Sequence, residues 1–217
     1  MTAQRSNLGE TLRLVFTLTA AGLLSGLAIV GAYEATLPTI EANKAAALER
    51  AVLKVLPGTE SLEALVWRDG ALVAAPAAGA GGGQQEARIY AGLDVSGRRL
   101  GFAIPGEGAG FQDTIRLLFG FDPARRRIVG LEILESRETP GLGDRIFKDP
   151  AFVAEFSDLA VEPGVELVQD GGTEPNQVDA ITGATISSRS VVKIVNSACG
   201  EWLERLPTET SAGGHDG

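Results

Sequence analysis

The chain has 217 residues, and 19 Lys and Arg against 28 Asp and Glu give it a formal net charge of −9. Such an acidic chain lacks the cationic surface that binds a phosphate backbone, so nucleic acid is not an expected partner. One Cys and one His cannot supply a zinc site, an iron–sulfur cluster or a disulfide framework. We therefore expect no metal site.

An uncharged run of 20 residues, from Leu14 to Tyr33, is the first recognisable element. As a helix it spans roughly 30 Å, the thickness of a bilayer hydrocarbon core. We interpret it as a transmembrane helix, because the apolar core of a signal peptide is usually only about 7 to 15 residues long; a cleaved signal peptide is the alternative. Arg5 and Arg13 precede the run, which predicts a cytoplasmic N-terminus and an exterior C-terminal part at the inner membrane.

Apolar residues then recur at helical spacing until Pro57-Gly58, which predicts a membrane-proximal helix from Thr39 to Leu56. Asp69-Gly70 is a hairpin turn signal between two strand-like runs, Glu63 to Trp67 and Ala71 to Ala75. The stretch from Pro76 to Gln85 has no periodicity and predicts a flexible loop.

Four further strand-like runs are separated by turn residues and predict an antiparallel sheet: Arg88–Leu93, Leu100–Ile104, Thr114–Leu118 and Ile128–Leu134. After them we expect a helix at 150–156, strands at 165–168 and 178–181, and a C-terminal helix from about Ser187 to Arg205 that buries Cys199.

This order of elements predicts an α+β fold, in which helices pack on a mainly antiparallel sheet behind one transmembrane helix. The predicted divisions are a cytoplasmic N-terminus, the transmembrane helix, a membrane-proximal helix, an exported domain and a disordered tail, at 1–13, 14–33, 34–58, 59–206 and 207–217.

Residues 179–188, DAITGATISS, form the most informative stretch, because a strand enters a glycine turn and a helix follows at once. A helix start has unpaired N–H groups and the positive end of the dipole, which would stabilise a phosphate beside Thr185 without Lys or Arg. The alternative is that Thr185, Ser187 and Ser188 merely cap the helix. Residue types alone favour capping, the commoner use of Ser and Thr.

Residues 138–144, ETPGLGD, are the second candidate. Pro140 pushes Thr139 towards an extended conformation, and Pro-Gly suits a type II turn with positive φ at Gly141. Such a loop can present backbone N–H groups to a planar ligand. The alternative is a tight strand-to-helix connection with Asp144 as the helix cap.

Together the two stretches resemble the FMN-binding domain found in the G subunit of the Rnf electron-transport complex, and in the related C subunit of the Na⁺-translocating NADH:quinone reductase. Gly110-Phe111 and the strand that follows are similar to the family's Gly-aromatic strand and turn. Two positions depart from the pattern: Ser136, where a His is often found, and Gln112-Asp113, in place of a Gly.

The resemblance implies FMN bound covalently through a phosphoester to Thr185, installed by a Mg²⁺-dependent flavin transferase with FAD as donor. The transferase would read Asp179, Gly183, Ala184 and Thr185. The implied cofactor-binding residues come from both motifs: Thr182, Gly183, Ala184, Thr185, Ser187 and Ser188 from the first, and Glu138, Thr139, Gly141, Leu142 and Gly143 from the second.

The implied role is an electron-carrier subunit of an Rnf-type ferredoxin:NAD⁺ oxidoreductase coupled to ion translocation, with other subunits as partners and no substrate chemistry of its own. Two alternatives remain open. The chain is similar to the quinone-reductase component as well, and a non-redox scaffold would use both stretches only as caps and turns.

Overall fold

The structure is a computed structural model that describes residues 3–76, 87–169 and 171–207. Nearly all of the predicted flexible loop, Pro76 to Gln85, and of the predicted disordered tail lies outside these residues. The chain divides into two compact units, Met1–Ala46 and Ala47–Gly217.

Helix α1 (Ala3–Val55) makes up the described part of the first unit and continues into the second. It is long and apolar enough to cross a membrane, and its large apolar side chains between Leu12 and Tyr33 are exposed, which fits a single-pass anchor. The residues predicted as a helix from Thr39 to Leu56 are helical as far as Val55, but the helix does not start at Thr39, because α1 runs straight through Pro38. Proline removes its own N–H bond, while the Ala, Leu, Glu and Lys residues that follow favour helix strongly.

Nine strands follow in the described part of the chain: β1 (Ser61–Arg68), β2 (Ala71–Ala74), β3 (Arg88–Leu93), β4 (Arg99–Ala109), β5 (Thr114–Asp122), β6 (Arg127–Glu135), β7 (Leu159–Ala160), β8 (Glu166–Val168) and β9 (Gln177–Asp179). The first seven form one sheet in the order β2-β1-β3-β4-β5-β6-β7, with every neighbouring pair antiparallel. The predicted α+β class, antiparallel sheet and hairpin at Asp69-Gly70 are confirmed. Strand β4 continues past the predicted end at Ile104, because residues 105–109 pair with β5.

Three short or amphipathic helices complete the second unit: α2 (Arg145–Lys148), α3 (Pro150–Ala154) and α4 (Thr185–Trp202). Strands β8 and β9 form a separate parallel pair, which the antiparallel expectation did not include. Helix α4 begins two residues before the predicted Ser187, so that Thr185 is its first residue.

Helix α4 covers one face of the sheet. Its buried residues, which include Val191, Val195 and Trp202, join a core built around Phe102 and Phe119 of the central strands. Cys199 is also buried there as predicted, and this burial raises the pKa of its thiol to about 12.

The last turn of α1 packs on the opposite face of the sheet. Val52, Val55 and Leu56 are buried against Ala103 and Leu118. Gly120 makes this close approach possible, because a Cβ at that position would lie only 2.0 Å from the carbonyl oxygen of Val55. Strand β5 is therefore buried on both faces, which explains its continuous apolar run.

Candidate functional site

An open groove of about 350 Å³ lies at the start of α4. Its lining residues come from three segments of the second unit: Phe111; Thr139, Leu142 and Gly143; and Gly183, Ala184, Thr185, Ile186 and Ser187. Phe111, Leu142 and Ile186 are large and apolar, yet their exposed fractions are 64%, 53% and 51%. Apolar side chains that cluster on a surface in this way mark a binding site more often than scattered ones do.

The start of α4 carries no side-chain cap. Ala184 occupies the N-cap position with φ −129° and ψ 23°, and among the described residues no side chain accepts a hydrogen bond from the first turn. Within the described residues, the first backbone bond of the helix is from Ser188 N to the carbonyl oxygen of Ala184. The N–H groups of the first turn and the positive end of the dipole therefore remain available to an anion.

The interpretation that the hydroxyls cap this helix is wrong. Ser187 Oγ donates to Glu138 Oε2 at 2.5 Å, and Ser188 Oγ donates to the carbonyl oxygen of Ala184 at 3.1 Å. Ser188 Oγ also accepts from Ile181 N at 3.2 Å, so both serines hold the helix start to neighbouring backbone and side chains. Thr185 is partly exposed and faces the groove.

A glycine turn brings the chain from β9 into α4. The N–H of Ala184 donates to the carbonyl oxygen of Ile181 at 2.8 Å, and Gly183 has φ +83°. A side chain at Gly183 would be strained in this left-handed region, whatever space it had. The turn therefore presents a bare backbone beside Thr185.

The 138–144 loop is held by contacts of its own. Gly141 has φ +78°, as the predicted turn requires, and its N–H donates to Asp144 Oδ1 at 2.8 Å. Lys148 binds Asp144 Oδ2 at 2.5 Å and holds the pKa of that carboxyl below its usual value. Asp144 lies at the N-cap of α2, but its side chain makes no cap hydrogen bond there. The loop thus leaves Leu142 and Thr139 turned to the groove.

Glu138 joins the three segments of the site without lining the groove. It is buried, with 5% of its surface exposed. Its Oε1 accepts from Phe111 N at 2.9 Å and Gln112 N at 3.0 Å, while its Oε2 accepts from Ser187 Oγ. Ser136, where the resembling family often has His, accepts from the N–H of Glu138 at 3.3 Å. Glu138 is therefore a cross-link within the site.

Arg145 makes a second cross-link, which the sequence did not predict. Its Nη1 donates to the carbonyl oxygen of Thr182 at 2.8 Å, and its Nη2 pairs with Asp149 at 3.2 Å. Because Arg145 follows the second motif and Thr182 belongs to the first, this side chain ties the two motifs together.

Asp179 lies at the end of β9, outside the groove lining. Its Oδ1 accepts from Gly171 N at 3.0 Å and Gly172 N at 3.1 Å, and its own N–H donates to Glu155. Burial raises the pKa of the Glu155 carboxyl. The carboxylate of Asp179 is thus engaged with the turn before β9.

The structure brings seven predicted site residues together in the groove lining: Thr139, Leu142, Gly143, Gly183, Ala184, Thr185 and Ser187. Glu138, Gly141, Thr182 and Ser188 lie outside that lining and support it. Phe111 and Ile186 line it but were not predicted as site residues. The Gly110-Phe111 pair could have indicated Phe111. Nothing in the sequence indicated Ile186, which lies between the hydroxyl-bearing residues Thr185 and Ser187.

These observations fit an ester-linked or bound FMN. The apolar side chains of the groove suit the faces of a planar ring system, and the uncapped helix start suits a phosphate. Glycine backbone at Gly183 leaves room for close approach.

In the comparison with known proteins, a family model matches part of the second unit. Residues 110–200 match the FMN-binding domain family, and this range contains every residue that lines the groove.

The particular relatives confirm the resemblance to the G component of the Rnf complex. The chain is 40% identical over 109 residues to the G subunit of the ion-translocating oxidoreductase complex of Methanosarcina acetivorans, covering 50% of this chain and 55% of that one. It is 32% identical over 113 residues to the G subunit of the proton-translocating ferredoxin:NAD(+) oxidoreductase complex of Clostridium ljungdahlii, covering 52% and 57%. The chain thus spans about half the length of the curated relatives it matches.

Solved structures share the fold. NqrC of Shewanella oneidensis aligns with a TM-score of 0.62 at 18% identity, covering 76% of this chain and 98% of that one. The C subunit of the Na(+)-translocating NADH-quinone reductase of Parabacteroides distasonis aligns with a TM-score of 0.63, also at 18% identity, covering 80% and 98%. At this identity the likeness shows the α+β fold alone.

Proposed function

We propose that this chain is a membrane-anchored electron-transfer subunit of an Rnf-type ion-translocating oxidoreductase, with FMN esterified to Thr185. The observation that carries the proposal is the uncapped start of α4, where a partly exposed threonine lies in an apolar groove. FMN supplies reversible transfer of one or two electrons, so the protein has to place it and adjust its potential. The partners would be the other subunits of that complex.

The attachment requires a flavin transferase with FAD as the donor. Thr185 Oγ attacks the phosphorus of the FMN half, the phosphoanhydride bond of FAD breaks, AMP leaves, and the hydroxyl proton is released. The resulting phosphodiester keeps one negative charge, which the N–H groups and dipole of α4 stabilise. Leu142, Phe111 and Ile186 would contact the ring.

We place the domain on the exterior side of the inner membrane, since Arg5 and Arg13 precede the apolar stretch of α1. A covalent tether suits that location, because a cofactor that dissociates outside the cell is lost by dilution.

The direct test is flavin fluorescence of the denatured protein in a gel, after expression of the full chain with a flavin transferase. Thr185→Val should abolish the fluorescent band, because it removes the only atom proposed to carry the ester. Thr173→Val is the matched control, since Thr173 is exposed and lies outside the groove. A fluorescent band that survives in Thr185→Val would disprove the attachment.

Asp179 tests how the transferase recognises the chain. We expect Asp179→Ala to lower flavin loading while the domain stays folded. Asp179→Asn keeps an oxygen that can accept from Gly171 and Gly172 but removes the charge. Reduced loading in both variants supports recognition of the Asp179 charge by the transferase. Reduced loading in the alanine variant alone supports a role of Asp179 in holding the turn. Full loading in both variants excludes Asp179 from recognition.

The nearest alternative is that the chain belongs to a quinone-reductase complex, because the C subunit of such a complex shares its fold. Copurifying subunits, identified by mass spectrometry of the complex in mild detergent, distinguish the two. A non-redox scaffold would show neither yellow colour nor a mass increment of FMN with the transferase present.

A further inference from the structure

The carboxylate of Glu138 lies directly behind the wall of the groove. A Cβ built on Gly143, which lines the groove, would come 2.7 Å from Glu138 Oε2 and 2.8 Å from Ser187 Oγ. The backbone of Gly143 therefore lies between a buried acidic group and the space where a ligand would bind. No other residue type at this position would allow so close an approach.

Each hydrogen bond of Glu138 is one that a carboxylate oxygen can accept. Its three partners are the backbone N–H groups of Phe111 and Gln112 and the hydroxyl of Ser187, all of which donate to it. A carboxylate can accept hydrogen bonds on both of its oxygens. Among the described residues, no Lys or Arg forms an ion pair with Glu138. In that part of the chain, the groups that contact its carboxyl oxygens are backbone N–H groups and a hydroxyl.

We propose that Glu138 is a positioning residue that also fixes a negative charge behind Gly143, and so lowers the midpoint potential of a flavin held in the groove. This inference rests on the function proposed above. Reduction of a flavin adds negative charge, which a nearby buried anion disfavours. The same carboxylate holds the Phe111 turn to the first turn of α4, and so sets the width of the groove.

Glu138→Gln tests the charge, because glutamine has the same size and keeps an oxygen that can accept from Phe111 and Gln112. The measurement is a spectroelectrochemical titration of the loaded full-length protein. We expect a positive shift of the midpoint potential that persists at high salt, since a buried charge is screened little. Glu135→Gln is the control, because Glu135 is an exposed glutamate paired with Arg116. An unchanged potential in Glu138→Gln overturns the charge role.

Ser187→Ala separates charge from general loosening. This variant removes one donor and leaves the carboxylate less neutralised, so its potential should equal that of the wild type or lie below it. If the potential rises in both Ser187→Ala and Glu138→Gln, the shift reflects a loosened groove, and the charge role is overturned.

A measurement on flavin-free protein tests the positioning role separately. Glu138→Ala should speed hydrogen exchange at the amides of Phe111 and Gln112, whereas Glu135→Ala should not. Unchanged exchange at both amides overturns the positioning role. If the wild type takes up no flavin with the transferase, the proposed function fails and the charge role fails with it, while the exchange result still decides whether Glu138 positions the loop.

Discussion

Two helix ends in the second unit differ in their surroundings, because one is buried and the other is open. The last turn of α1 is buried on the sheet, with its backbone fitted against Gly120, while the first turn of α4 is left uncapped beside exposed apolar residues. The buried end has no room for another molecule. At the open end, no described side chain accepts a hydrogen bond from the N–H groups of the first turn. These groups are therefore available to an anionic group.

The largest expected difference between the two ends concerns stability. Leu56→Ala should lower the free energy of unfolding by about 2–5 kcal/mol, since it empties a buried position under α1. Leu142→Ala removes the same atoms from an exposed position and should change it by less than about 0.5 kcal/mol. Denaturant unfolding of both variants in detergent measures the contrast. Equal losses would contradict the idea that only one end is closed by packing.

A substitution at Gly120 tests how closely the last turn of α1 packs on the sheet. Gly120→Ala should cost about 1–3 kcal/mol, because its Cβ would collide with the carbonyl of Val55. Gly200→Ala is the matched control: Gly200 lies in α4 with open space around it, so the change should stabilise the protein by about 0.5–1 kcal/mol. Thermal unfolding of both variants gives the signs. A neutral Gly120→Ala would mean that α1 is not seated as closely as described.

The smallest expected effect on stability concerns the 138–144 loop beside the open end, and it depends on pH. Lys148 keeps the pKa of Asp144 below its usual value in the folded state, so this contact stabilises the fold above the unfolded pKa of about 4 and is lost as pH falls through the folded pKa. Asp144→Asn should therefore be less stable than the wild type near neutral pH, and the difference in the free energy of unfolding should shrink on acidification. Lys148→Met should reduce the same pH dependence. A difference that stays constant with pH would exclude this linkage.

The parts of the fold that local pattern controls were predictable. The antiparallel strands, the Asp69-Gly70 hairpin and the positive φ at Gly141 follow from turn chemistry and alternation. The start of α4 was placed at Ser187, because its apolar periodicity becomes clear only from Val191 onward. In the structure the helix begins at Thr185, and Ser187 bonds Glu138, 49 residues away, while Ser188 bonds the nearby backbone of Ile181.

Most of the candidate site was predictable from its two motifs, but its connections were not. The bond between Glu138 and Ser187 spans 49 residues, and that between Arg145 and Thr182 spans 37. No periodicity or turn signal carries information over such separations. The turn that carries Phe111 to the groove is hydrogen-bonded to Glu138, 27 residues further along the chain.

The state of Cys199 has a chemical consequence. Burial raises the pKa of this thiol to about 12, so the thiolate that attack on peroxide requires is scarce at neutral pH. The single sulfhydryl of this protein should thus resist sulfenic acid formation and cannot link two chains by a disulfide while the domain is folded. Oxidative damage from reduced oxygen species would fall elsewhere.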